Sequence, residues 1–181
     1  MIAFRTDTFY GLGADPFNAA AVERIRELKG REDDKPILLL ISDVDQIERL
    51  LIERSPDFDS LAEKFWPGPL TIVGKATTDL PEGITAGTGT VGVRLPADAS
   101  VRDLMRQCGG TLTATSANPA GRDPARSADD VRNYFPEGID LIVDGGQVTA
   151  IEPSTVVDAT TSPPRIVREG AIPAKLIDPQ G

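Results

Sequence analysis

A chain of 181 residues is long enough to bury one sizeable core, and a net charge of −9 disfavours a protein that coats nucleic acid, which needs a surplus of Lys and Arg on one face. There is no histidine, which removes the Ser-His-Asp triad, the Cys-His pair and every His-containing zinc site, and the single Cys108 cannot close an internal disulfide. With no apolar span of membrane length and no signal peptide, the expectation is one domain over residues 1–181, with a short tail from about 173, in the cytoplasm. Without imidazole, acid/base work near neutral pH needs a perturbed carboxylate or Lys, a metal-bound water, or a substrate that brings its own nucleophile. Chemistry done by positioning and charge is favoured.

Ile2-Ala3-Phe4 predicts a short strand that runs into Arg5-Thr6-Asp7-Thr8-Phe9-Tyr10-Gly11-Leu12-Gly13, where hydroxyls, a carboxylate and a phenol cluster beside two glycines. An ordinary polar turn and a ligand-binding turn are equally compatible with those residues. Asn18 to Leu28 predicts a helix, with Asn18 as N-cap, Val22, Ile25 and Leu28 at near-helical spacing, and Gly30 as the C′ residue. Lys29, Arg31 and Lys35 then place three cations within seven positions, either complementing the negative end of the helix dipole or gathering an anion. Pro36 to Ile41 is a continuous apolar run, as expected of a strand buried on both faces. Helices are predicted over Asp43 to Glu53 and Asp57 to Phe65, the second stopped by Trp66-Pro67-Gly68-Pro69, with Trp66 assigned to core packing and its N–H satisfied nearby. Leu70 to Val73 follows as a strand.

Gly87-Thr88-Gly89-Thr90-Val91-Gly92 matches the dinucleotide fingerprint letter for letter, yet that motif requires a helix after it, and Val91 to Pro96 alternates like a strand. A Gly/Thr loop leading into a strand that carries Arg94 is the better description, and backbone N–H groups beside an Arg suit an anion. Ser100 to Cys108 predicts a helix and Thr111 to Ala114 a strand opening into Thr115-Ser116-Ala117-Asn118-Pro119, a Ser/Asn turn whose small residues also allow a ligand close to the backbone. Ser127, with Asp130, caps a helix to about Phe135. Ile139 to Val143, Pro153 to Asp158 and Arg165 to Ile172 complete the strands, with Val167 and Arg168 expected on opposite faces. Alternating strands and helices give an α/β domain with a twisted, mainly mixed sheet and flanking helices.

Taken in order, T-D-T-F-Y-G-L, K-G-R with K-P, F-W-P-G-P-L-T, V-G-V-R-L-P, T-S-A-N, D-G-G, S-T-V-V-D and V-R-E-G-A-I resemble the YrdC/Sua5 family of threonylcarbamoyl-AMP synthases over essentially the whole chain, in its short single-domain YrdC form. The resemblance implies a YrdC-like fold with an open concave substrate cleft. It also implies synthesis of threonylcarbamoyl-AMP and pyrophosphate from L-threonine, bicarbonate and ATP, for the threonylcarbamoyl modification of an adenosine in tRNA.

By motif, Lys29, Arg31, Ser116 and Asn118 look like the tetrad that holds the phosphates and reacting carboxyl groups. Arg31, Ser116, Lys35, Thr90, Pro124 in the segment after Gly121, and Arg168 resemble ATP contacts. Thr8, Arg94 and Ser154, with backbone around Leu40 and Ala114, resemble the threonine site, Arg94 being the counter-ion of the amino-acid carboxylate. Mg²⁺ is expected with ATP, with no protein ligand assigned. The implied partners are the three substrates and a downstream tRNA threonylcarbamoyl transferase complex, with no membrane and no strong direct nucleic-acid binding.

Two features depart from the family pattern. Arg5 stands where Pro is usual before T-D-T, adding a charge near the threonine pocket, and the sequence starts with the strand where relatives usually carry a helix first. Both bear on substrate affinity more than on fold. An RNA- or ribosome-associated module of the same fold is the alternative from the binding class, opposed by the acidic total. A carbamoyl-transfer domain is another, opposed by the absence of the acylphosphatase and zinc-finger regions that accompany it.

Overall fold

Local chemistry sets the helix ends. A computed structural model describes residues 1–30, 35–150 and 152–177 of the chain. In it, strands β1 (Ile2–Arg5) and β2 (Tyr10–Gly13) precede helix α1 (Ala19–Leu28). The Asn18 side chain accepts from the Ala21 N–H at the start of α1, and Gly30 takes φ 62° just past its end. Then come β3 (Leu39–Ile41), α2 (Pro56–Phe65), β4 (Leu70–Lys75), the short α3 (Glu82–Thr85), β5 (Thr90–Arg94) and α4 (Ala99–Gln107). The chain ends with β6 (Thr111–Thr113), β7 (Thr115–Ser116), α5 (Ala128–Tyr134), β8 (Leu141–Val143), β9 (Thr155–Asp158), β10 (Arg165–Arg168) and α6 (Ala174–Ile177). Trp66 packs edge-on against Phe58 and donates Nε1–H to the Leu70 carbonyl at 2.7 Å, the packing role expected of it. No helix among the described residues is long and apolar enough to cross a membrane.

The α/β class and mixed strand pairing are as read from the sequence, and the described strands divide between two sheets. One has the order β7-β2-β1-β8 and the other β10-β9-β4-β5-β3-β6. The chain changes sheet at Ala114: Thr113 pairs with Leu39 in β3, and Thr115, two residues on, pairs with Leu12 in β2. In the larger sheet Leu39, Ile72, Val93 and Val157 stand in register and face the main core, fully buried. Period-two alternation therefore sends Leu38, Gly92, Arg94, Thr71, Val73, Val156 and Asp158 to the other face. That face is where the site lies. A smaller core of Phe4, Leu40, Val101, Met105 and Leu112 closes one end of it beneath α4.

Local expectations change in three segments. The Asp43 to Glu53 segment forms only a 3₁₀ helix over Val44–Arg49, because Leu51 bridges to Ala76 and the Ile52 N–H donates to the Lys75 carbonyl, drawing the backbone alongside β4. The strand expected from Pro36 is shortened to Leu39–Ile41, since Pro36 has no N–H and that of Ile37 goes to the Ile84 carbonyl. A bulge between Ile166 and Arg168 upsets simple alternation, so Val167 and Arg168 both reach the site. The strand expected to run to Ile172 ends at Arg168, beyond which the Gly170 and Ile172 N–H groups donate to Thr155 Oγ1.

At α5 the capping box is complete: Ser127 Oγ accepts from the Asp130 N–H at 3.1 Å, and Asp130 Oδ2 accepts from the Ser127 N–H at 3.0 Å. Ser127→Ala is expected to cost about 1 kcal/mol. That should appear as a fall of about 2–4 °C in melting temperature for a chain of this size, read by thermal denaturation.

Candidate functional site

A cavity of about 710 Å³ is lined by the free face of the larger sheet and by the β2 and β7 side of the smaller one. At its base lies Arg94, 2% exposed. Its Nη1 is 2.9 Å from Asp7 Oδ1, an ion pair out of line for a hydrogen bond, and its Nη2 donates to Thr8 Oγ1 at 3.4 Å. The Nε–H has no acceptor among the described residues. Burial pushes the Arg94 guanidinium below its usual range, the Asp7 carboxylate opposes that, and Arg168 adds to the lowering. Gly92 forms part of the floor: a Cβ there would come within 2.9 Å of Thr71 Cγ2, so any side chain would crowd the strand beside Arg94.

The opposite wall is built around Ser154. Its Oγ lies 2.9 Å from Thr71 Oγ1, and Arg168 Nη2 donates to its carbonyl at 2.9 Å and to its Oγ at 3.4 Å. Gly170 presses onto this turn so closely that a Cβ would run into the Pro153 carbonyl, which explains a glycine after Arg168-Glu169. Burial lowers the Arg168 guanidinium below its usual range. Asp158 is a carboxylate of the lining. Burial opposes its ionisation, but hydrogen bonds from Thr160 and the charge of Arg165 hold it on balance below the ordinary carboxylate range.

Of the residues singled out from sequence, Thr8, Thr90, Arg94, Ala114, Ser116, Pro124, Ser154 and Arg168 line this one cavity. Lys29 and Asn118 stand behind it. Lys29, 4% exposed, donates from Nζ to the carbonyls of Ser116 and, at 3.0 Å, Asn118, tying the end of α1 to the S-A-N turn. The Asn118 amide donates to the carbonyls of Pro119 and Arg122, and its Oδ1 is buried without a donor among the described residues. Lys35 is exposed beside Pro36, which does line the cavity. Leu40 pairs with Arg94 in register but buries its side chain in the smaller core, leaving Leu38 as the cavity-facing residue of that segment. Arg31 lies outside the described residues.

Arg5 turns away from the cavity. Its Nη1 donates to Asp98 Oδ2 at 3.0 Å, so the charge expected near the pocket is spent at the start of α4. Phe9, Tyr10, Leu38, Thr71 and Asp158 also line the cavity, beyond the residues singled out from the sequence. Period two within S-T-V-V-D, counted from Ser154, was the available signal for Asp158.

The family model of Sua5, YciO and YrdC proteins, described as telomere recombination, matches residues 1–170. A threonylcarbamoyl-AMP synthase of Pyrococcus abyssi is 39% identical over 178 residues, covering 98% of this chain and 52% of that protein. One of Marinobacter nauticus is 39% identical over 163 residues, covering 89% of this chain and 85% of that protein. The crystal structure of P. abyssi Sua5 complexed with L-threonine superposes with a TM-score of 0.93 at 39% identity, over 98% of this chain and 52% of that one. The chain thus spans about half the length of the P. abyssi relative. Matched over nearly all of its length in sequence and in backbone, the chain belongs to the YrdC/Sua5 family.

Proposed function

We propose that this chain is an L-threonylcarbamoyladenylate synthase, a nucleotidyltransferase acting on L-threonine, bicarbonate and ATP. The observation that carries the reading is one cavity holding an enclosed Arg94 and a rim Arg168 among the hydroxyls of Thr8, Ser116 and Ser154. Two cations and several neutral donors, without histidine, suit a site that gathers anions and lets substrates react with one another. The free amine of threonine attacks the carbon of CO2 derived from bicarbonate and loses a proton, giving a carbamate. A carbamate oxygen then attacks the α-phosphorus of ATP, and the bond to the bridging oxygen breaks to release pyrophosphate. No enzyme nucleophile is needed.

In this reading Arg94 receives the threonine carboxylate in a forked pair, and Thr8 and Ser154 orient the amino acid, with the strand around Leu40 and Ala114 behind it. Ser116, Thr90, Pro124 and Arg168 face the nucleotide, with Lys35 beside them; the motif assigns Arg31 to the nucleotide as well, though it lies outside the described residues. Lys29 and Asn118 hold the S-A-N turn in place. Mg²⁺ would enter with the triphosphate, with no protein ligand assigned and no step routed through it. The product, a mixed anhydride, calls for a separate transferase that delivers the threonylcarbamoyl group to tRNA.

Incubation with ATP, bicarbonate, Mg²⁺ and L-threonine is expected to release pyrophosphate only when threonine is present. A rate unaffected by threonine would refute the assignment.

A further inference from the structure

Arg94 is held from behind. Its carboxylate neighbour Asp7 is absent from the cavity lining and borders instead a separate depression, with Pro69, Ala97 and Glu152, that meets the cavity at Thr8. Asp7 is itself anchored, since its Oδ2 accepts from the Ala97 N–H at 3.3 Å while Oδ1 stands 2.9 Å from Arg94 Nη1. Thr8, the next residue, does line the cavity and touches Arg94 Nη2, so one turn of chain grips the guanidinium at two nitrogens. The Thr6 hydroxyl fixes that turn, accepting from the N–H groups of Thr8 and Phe9 and donating to the Phe9 carbonyl.

We infer that Asp7 is the positioning residue of the amino-acid site: gripping Arg94 from the far side, it keeps an enclosed guanidinium in place and aimed at the cavity before the substrate carboxylate arrives. The inference rests on the threonylcarbamoyladenylate synthase reading. An enclosed cation with no counter-ion is unfavourable and turns toward solvent when it can. Asp7 removes that drive without occupying the cavity. Asp7 touches no substrate in this arrangement and acts only through Arg94. The Asp at the centre of the T-D-T motif thereby gains a function separate from that of Thr8.

The test compares the whole chain with Asp7→Asn, which keeps shape and an acceptor for Ala97, and with Asp7→Glu, which keeps the charge. Pyrophosphate release is measured against threonine and against ATP, and binding of L-threonine and of threonine amide is measured by calorimetry. For Asp7→Asn the expected result is a threonine KM raised about tenfold or more, as for loss of a contact to a charged group. The ATP KM should stay within about twofold, and the preference for threonine over its amide should shrink. Asp7→Glu should recover most of the difference.

An unchanged threonine KM in Asp7→Asn, equal rises for both substrates, or a glutamate variant no better than the asparagine one would overturn the inference and leave the synthase reading standing. Wild-type protein that neither binds nor uses threonine would sink both. Should Asp7→Asn fail to fold, Asp7→Ser, which also removes the charge, takes its place: a threonine KM raised by more than the ATP KM supports the inference, and equal or absent shifts overturn it.

Discussion

Replacing Arg94 with alanine is expected to lower kcat/KM for threonine by about 2–4 kcal/mol of transition-state stabilisation, roughly 30- to 1,000-fold, with the larger part appearing as a raised threonine requirement. The size follows from where the side chain sits. At 2% exposure its contacts are made away from bulk water, where a charge-assisted pair is worth more than at a surface. Alanine also strips Asp7 of its cation, so part of the loss could be structural, and Arg94→Lys separates the two effects. Lysine keeps a positive charge near Asp7 but lacks the planar fork, so it should melt near the wild-type temperature while still requiring far more threonine. Steady-state kinetics in both substrates read the split. If either variant spared threonine and weakened ATP alone, the two subsites would have to be exchanged.

How much of this was legible beforehand depends on the range over which each feature is determined. Asn18, Gly30, Ser127 and Asp130 mark helix ends through hydrogen bonds and torsions a few residues away, and those ends fell where expected. The rejection of a dinucleotide site at Gly87–Gly92 was likewise local, because β5 begins at Thr90 and runs through Gly92, where a helix would be needed. The division into two sheets was not legible: nothing in Thr113-Ala114-Thr115 says that residues two apart pair with different strands, a fact fixed by Leu39 and Leu12 far along the chain. The 3₁₀ turn at Val44–Arg49 was hidden for the same reason, since its apolar spacing suits a helix and the contest is decided by Lys75 and Ala76. Family motifs marked eight residues that line the cavity, but motif matching cannot distinguish a residue facing the ligand from one supporting it. Asp7 behind Arg94, and Lys29 behind Ser116, emerge only from the three-dimensional arrangement.

Lys29→Met is expected to reduce both stability and activity, which distinguishes it from a lysine that only meets phosphate. Lys29, 4% exposed, donates from its ammonium to the Ser116 and Asn118 carbonyls, and the Ala120 N–H reaches back to the Lys29 carbonyl at 3.4 Å. Methionine fills a similar volume but leaves those two carbonyls without their charged donor. The cost expected for such a loss is about 2–4 kcal/mol, a large share of the roughly 5–15 kcal/mol that holds a domain together. For a chain of this size the melting temperature should fall by about 5–15 °C. Below that temperature the S-A-N turn, no longer tied to α1, should hold Ser116 less well against the nucleotide, raising the ATP KM more than the threonine KM. Thermal denaturation and two-substrate kinetics on one preparation separate the possibilities. A variant that melts with the wild type yet has lost ATP affinity would show that Lys29 releases the turn to bind phosphate directly. One that melts early with unaltered KM values would confine it to the scaffold. Only the combined loss fits an ammonium that organises the wall carrying Ser116.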